Sequence, residues 1–134
     1  MTDHPLDLLL LEDNEHNRYL VTFLLERRGH RIAAAVDGPT GVAMAAANPP
    51  DLVLLDIQLP GMDGYEVATV LRALPALDDV PIVAVTSYAM PGDRERALAA
   101  GCDGYIEKPI DPDTFVEQVE ALWRGRAAAV GGPP

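Results

Sequence analysis

Apolar residues gather in short unbroken runs at positions 8–11, 32–36, 52–55 and 82–85, with a weaker run at 105–106. Runs of four or five apolar residues without polar alternation fit strands covered on both faces, as in a parallel sheet. The intervals between them carry helical spacing. The first predicts a helix over about 14–28, with Leu20, Val21, Leu24 and Leu25 on one face and a stop at Gly29. The second opens with Pro39 in its first turn and ends before Asn48-Pro49-Pro50. A third follows Asp63-Gly64 and carries Val67, Val70, Leu71 and Leu74, and a fourth spans about 93–100 and ends at Gly101. The last has Phe115, Val116, Val119, Leu122 and Trp123 on one stripe.

Five strand–helix units of about 25 residues each imply an α/β fold, doubly wound with right-handed crossovers. The sequence from Gly125 to Pro134 lacks periodicity, so the expected domain is 1–124 with a flexible tail at 125–134 and no output domain after it. The 134 residues amount to one domain, and 49% hydrophobic content argues against disorder. Net charge is −11 with no basic patch, which speaks against direct nucleic-acid binding. Neither a signal peptide nor a membrane-length apolar run is present, so a cytoplasmic protein that does not enter the membrane is expected. Cys102 is the only cysteine and fits a small buried hydrophobe, while His16 and His30 are expected at the surface and His4 in a frayed N-terminus.

In a parallel α/β sheet, ligands bind beyond the carboxyl ends of the strands. Glu12-Asp13 follow the first run, Asp56 the third, Thr86-Ser87 the fourth and Glu107-Lys108-Pro109 the fifth. The three carboxylates of Glu12, Asp13 and Asp56, the Thr86 hydroxyl and the Lys108 ammonium are thereby expected at one rim. Crowded carboxylates repel, and a hard divalent cation such as Mg²⁺ (or Mn²⁺) together with Lys108 would offset their charge. Asp56 can then act as a nucleophile toward a phosphoryl group, in the manner of aspartyl-phosphate chemistry. Lys108 is the only lysine among ten basic residues, at a position where a compact point charge suits a phosphoryl oxygen better than a planar fork.

Four segments, Leu11-Glu12-Asp13-Asn14, the run from Leu55-Asp56-Ile57-Gln58 to Met62-Asp63-Gly64, Val85-Thr86-Ser87, and Tyr105-Ile106-Glu107-Lys108-Pro109, resemble the signature of response-regulator receiver domains. The resemblance covers about residues 6–123 and is most similar to single-domain receivers of the chemotaxis and cell-polarity kind. It implies a flavodoxin-like (βα)5 fold with strand order 2-1-3-4-5. It implies that Asp56 accepts phosphate from a histidine kinase or histidine phosphotransfer protein. Asp13 and Asp56 would be direct Mg²⁺ ligands, Glu12 would act mostly through water, and the Gln58 backbone carbonyl would complete the protein ligands. Thr86 and Tyr105 would form the switch, Lys108 would pair with the phosphoryl oxygen, and the Lys108–Pro109 peptide would be cis. Gln58 and Tyr88 fall where side chains tune dephosphorylation. The acidic pair is Glu-Asp rather than Asp-Asp, which changes one ligand's reach without removing a charge.

Such a protein is a phosphoacceptor switch that catalyses only its own phosphorylation and dephosphorylation. Its output would pass to a downstream protein target, with the chain a monomer or a phosphorylation-dependent dimer, and a place as a phosphorelay intermediate is an alternative. A nucleotide-binding enzyme would want a glycine-rich turn where Glu12-Asp13-Asn14-Glu15 stands. A haloacid-dehalogenase-like phosphatase, the alternative enzyme, usually needs a second Asp where this chain has Gln58.

Overall fold

The computed structural model describes residues 2–87 and 90–130. Five parallel strands, β1 (Asp7–Leu11), β2 (Arg31–Ala35), β3 (Leu52–Asp56), β4 (Ile82–Thr86) and β5 (Gly104–Glu107), form one sheet in the order 2-1-3-4-5. The helices are α1 (Glu15–Arg28), α2 (Gly38–Ala47), α3 (Gly64–Arg72), α4 (Asp93–Ala99) and α5 (Phe115–Val130). The expected flavodoxin-like architecture is therefore observed.

The unbroken apolar runs have a direct explanation. Successive strand residues point to opposite faces. Leu9, Leu11, Val53, Leu55, Ile82 and Ala84 join a core with Val67 and Leu71 of α3 and Ala97 of α4. Leu8, Leu10, Leu52, Leu54, Val83 and Val85 join a second core with Val21 and Leu25 of α1 and Phe115 and Val119 of α5. With both faces covered, a polar residue in the central strands would be buried unpaired, at a cost of about 1–3 kcal/mol.

Helix ends follow local chemistry. The Asn14 side chain accepts from the Asn17 N–H at 2.9 Å to start α1, and Gly29 ends it at φ 110°, a left-handed conformation that favours glycine. The Asp63 carboxylate accepts from the Tyr65 N–H at 2.8 Å to start α3. Between β3 and α3 the chain folds back on itself, with the Gly64 N–H donating to the Ile57 carbonyl at 3.1 Å. A Cβ on Gly64 would stand 2.4 Å from the Ile57 Cα, so only glycine lets this loop close.

The structure departs from the expectations in five places. Strand β2 takes the sheet edge that the order 2-1-3-4-5 implies, so Ala33 and Ala34 are exposed rather than covered on both faces, and Val36 falls outside the strand. Leu74 is not in α3, because it precedes Pro75 and takes an extended ψ of 119°, and a short 3₁₀ turn (Pro75–Leu77) follows. Helix α5 runs to Val130 instead of giving way to a tail at Gly125. Arg126 anchors the extension, with Nη1 3.0 Å from the Asp103 carboxylate and Nη2 donating to the Asp78 carbonyl, while three consecutive alanines favour helix.

His30 is buried rather than exposed. Its Nδ1 accepts the Leu6 N–H at 3.0 Å, so the other ring nitrogen donates to Glu120, 2.8 Å away, and Arg28 pairs with the same carboxylate at 3.0 Å. The N-terminal segment is tied down as well, through the Thr2 N–H on the Arg28 carbonyl and His4 beside Trp123.

Replacing Gly64 with alanine is expected to lower unfolding free energy by about 1–3 kcal/mol, because the Ile57 backbone must move. Urea unfolding of Gly64→Ala measures this, and a loss below about 0.5 kcal/mol would show that the loop is not closed by that contact.

Candidate active site

Three parallel registers set the site. Leu11 faces Leu55, Asp56 faces Val85 and Thr86 faces Glu107, so the carboxyl ends of β1, β3, β4 and β5 finish close to one level. Glu12 follows β1, Asp56 closes β3, Thr86 closes β4 and Lys108 follows β5. Residues far apart in sequence meet because parallel pairing leaves them no other height.

One carboxylate oxygen from each of Glu12, Asp13 and Asp56 lies within 4.8 Å of the others. Glu12 and Asp56 are buried, at 2% and 4% exposure, while Asp13 is exposed. The Lys108 ammonium, itself nearly buried, lies 2.8 Å from Glu12 Oε1 and 3.3 Å from Asp56 Oδ2. The other Asp56 oxygen accepts from the Gln58 N–H at 2.9 Å, and Glu12 Oε2 accepts from the Asn14 N–H at 3.2 Å. Lys108 is held in turn by its own N–H, which donates to the Thr86 carbonyl at 2.7 Å, and the peptide to Pro109 is cis.

Burial first, and the neighbouring Asp56 carboxylate second, push the Glu12 carboxyl up to about 7, against the opposing pull of Lys108. One ammonium does not balance three carboxylates, and the surplus negative charge on hard oxygen donors suits a divalent cation. The Asp13 carboxylate makes no hydrogen bond among the described residues, so its oxygens are available as ligands.

Thr86 is buried at the strand end, and Tyr105 of β5 is half-buried. The Tyr105 hydroxyl is buried without a hydrogen-bond partner among the described residues, and burial, followed by the charges of Asp93 and Glu107, raises its pKa. Gln58 is exposed beside Asp56, and Tyr88 lies outside the described residues. Sequence reasoning missed a neighbouring contact. The Arg96 guanidinium of α4 sits 4.2 Å from the centre of the Tyr65 ring of α3 and 3.5 Å from the Asp63 carboxylate. No spacing rule links residues on different helices, so only the folded geometry reveals this pair.

Comparison with known proteins bears on this geometry. Residues 8–120 match the family model for the response regulator receiver domain. The polar-differentiation response regulator DivK of Brucella anthropi is 38% identical over 117 residues, spanning 87% of this chain and 95% of that protein. A CheY-like receiver domain protein from Methanospirillum hungatei superposes with TM-score 0.86 at 26% identity, over 96% of this chain and all of that one. The receiver domain of a sensor histidine kinase from Pseudomonas aeruginosa has TM-score 0.80 and 34% identity, over 93% of this chain and all of that one. Its structure has a magnesium ion coordinated in the active site cleft.

The raised Glu12 pKa fixes a sign. Between the ordinary value of 4.5 and about 7, folded protein holds a proton that the unfolded chain has released. Without metal, stability from this group is therefore expected to fall as pH rises through that window. Urea unfolding in chelator at several pH values reads the slope, and Glu12→Gln is expected to flatten it. An unchanged slope in the variant would show that Glu12 is not the titrating group.

Proposed function

The chain belongs to the response-regulator receiver domain family, and from that premise we propose that Asp56 is its phosphoacceptor, in a Mg²⁺-dependent switch that reports through protein contacts. The observation that supports this most directly is the cluster of Glu12, Asp13 and Asp56 within 4.8 Å, with Lys108 bridging Glu12 and Asp56.

Receiver domains take phosphoryl groups from kinases and signal to downstream targets. Here the donor is a phosphohistidine on a histidine kinase or histidine phosphotransfer protein. An Asp56 carboxylate oxygen bonds to phosphorus as the P–N bond breaks, and the electron pair leaves with the imidazole nitrogen, which then takes a proton. Asp13 and Asp56, with the Gln58 carbonyl, would hold Mg²⁺, and Glu12 would act through water. When bound, the ion neutralises charge on the phosphoryl oxygens. Lys108 already points its ammonium at the reacting carboxylate, so it is preorganised to pair with a phosphoryl oxygen. The Gln58 N–H fixes the orientation of the Asp56 carboxyl plane.

Thr86 and Tyr105 carry the change outward. Thr86 is adjacent to the reacting carboxylate through the β3–β4 pairing, and Tyr105 has a buried hydroxyl that gains by moving to a partner. The surface they border, residues 90–96 and the face of α4, β5 and α5, exposes Met90 at 64% and Leu98 at 47%. Gln58 and Tyr88 set the lifetime of the phosphoryl group. A net charge of −11 favours a protein as the downstream target over nucleic acid. No helix among the described residues is long and apolar enough to cross a membrane.

Incubation with acetyl phosphate and Mg²⁺ is expected to add one phosphoryl group per chain in an acid-stable, alkali-labile linkage. Intact-mass spectrometry reads it. Chelator and Asp56→Asn should each abolish the adduct, and an adduct that survives in Asp56→Asn would refute the assignment.

A further inference from the structure

The acidic pair sits on the short turn between β1 and α1, and its two members are held very differently. Glu12 has independent restraints on its carboxylate, from the Lys108 ammonium and the Asn14 N–H. Its backbone N–H also donates to the Ala35 carbonyl at 3.0 Å. Asp13 has none of these. Its side chain is exposed, and among the described residues its one hydrogen bond is through its carbonyl.

The donor in that bond is Arg18, one turn into α1. Arg18 Nη1 lies 3.1 Å from the Glu12 carbonyl and 2.9 Å from the Asp13 carbonyl, so one nitrogen ties the two successive peptide groups together. The Arg18 side chain thereby closes a loop over the turn, because its own backbone N–H is bonded to the Asn14 carbonyl at 2.9 Å. With no bond to its carboxylate, Asp13 is directed only by its backbone, which sets the Cα–Cβ direction and the open χ1 rotamers. The tilt of the Asp13 peptide therefore sets which of those rotamers bring its oxygens to the 4.8 Å cluster with Asp56.

We infer that Arg18 is a positioning residue for the metal site: its guanidinium, by binding the Glu12 and Asp13 carbonyls, aims the Asp13 carboxylate at the cation. This rests on the reading of Asp13 as a Mg²⁺ ligand. The positioning role has a sign that separates it from simple electrostatics. Removing a cation beside three carboxylates should tighten Mg²⁺ binding if charge alone matters. Losing the aim of a ligand should weaken it, and outer partners of metal ligands typically contribute roughly 10–100-fold in affinity.

Isothermal titration of Mg²⁺ into the wild-type chain, Arg18→Met, Arg18→Ala and Arg18→Lys tests this. Arg27→Ala serves as a control that removes the same charge from an exposed site on the same helix. Methionine keeps much of the apolar stem without the donors, so it reports even if the alanine variant folds poorly. The expected result is Mg²⁺ binding weakened about tenfold in Arg18→Met and Arg18→Ala, partly restored in Arg18→Lys and unchanged in Arg27→Ala. Phosphorylation by acetyl phosphate at saturating Mg²⁺ should recover in the Arg18 variants, because only ligand aim is lost. Binding by Arg18→Met as tight as wild type or tighter would overturn the inference while leaving the site reading intact. Absence of Mg²⁺ binding in the wild type would overturn both.

Discussion

Two carboxylates that are almost wholly buried, Glu12 and Asp56, stand at neighbouring strand ends beside a third, and the fold has to contain their repulsion. An unpaired buried charge costs several kcal/mol, so each must find a partner. The partners are the distant Lys108 beyond β5 and, two residues along the chain from each carboxylate, the backbone N–H groups of Asn14 and Gln58. Lys108 could not reach without the parallel registers that set the four strand ends level. The sheet supplies the heights, and the charges then hold the loops that carry them.

That arrangement leaves the centre under-compensated, since one ammonium faces three carboxylates. A group so biased is suited to take up positive charge and then a phosphoryl group, which is the chemistry proposed for it. The surroundings are equally unfinished. Tyr105 keeps a buried hydroxyl with no partner among the described residues, and Arg96 locks α4 to α3 through the Tyr65 ring and Asp63. Asp63 is also the cap of α3, at the end of the loop that leaves Asp56. Change at the strand ends thus has a short path to α4, whose exposed Leu98 belongs to the proposed output face.

Much of this was legible in the chain. Three of the apolar runs gave the central strands β1, β3 and β4, because a strand covered on both faces must be apolar throughout. The polar residues just past them gave the site, because a parallel sheet gathers its carboxyl ends at one rim. The exposure of β2 was not legible in its apolar run, since periodicity does not say which strand takes the edge; only the strand order implied by the family resemblance places it there. The continuation of α5 beyond Gly125 depends on Arg126 reaching Asp103, and the burial of His30 on Glu120. Both are contacts across elements that no local spacing announces. Arg18 belongs with them: as a letter it is one more helix arginine, and its two carbonyl contacts exist only in the folded turn.

The central claim is that Asp56, rather than either of its acidic neighbours, becomes covalently modified. Borohydride reduction of the phosphorylated protein converts an aspartyl phosphate to homoserine at the modified position. Peptide sequencing by mass spectrometry then reads that position directly. The account predicts homoserine at position 56 alone, in Mg²⁺ and not in chelator. Conversion at position 13, or at any other carboxylate instead, would contradict it.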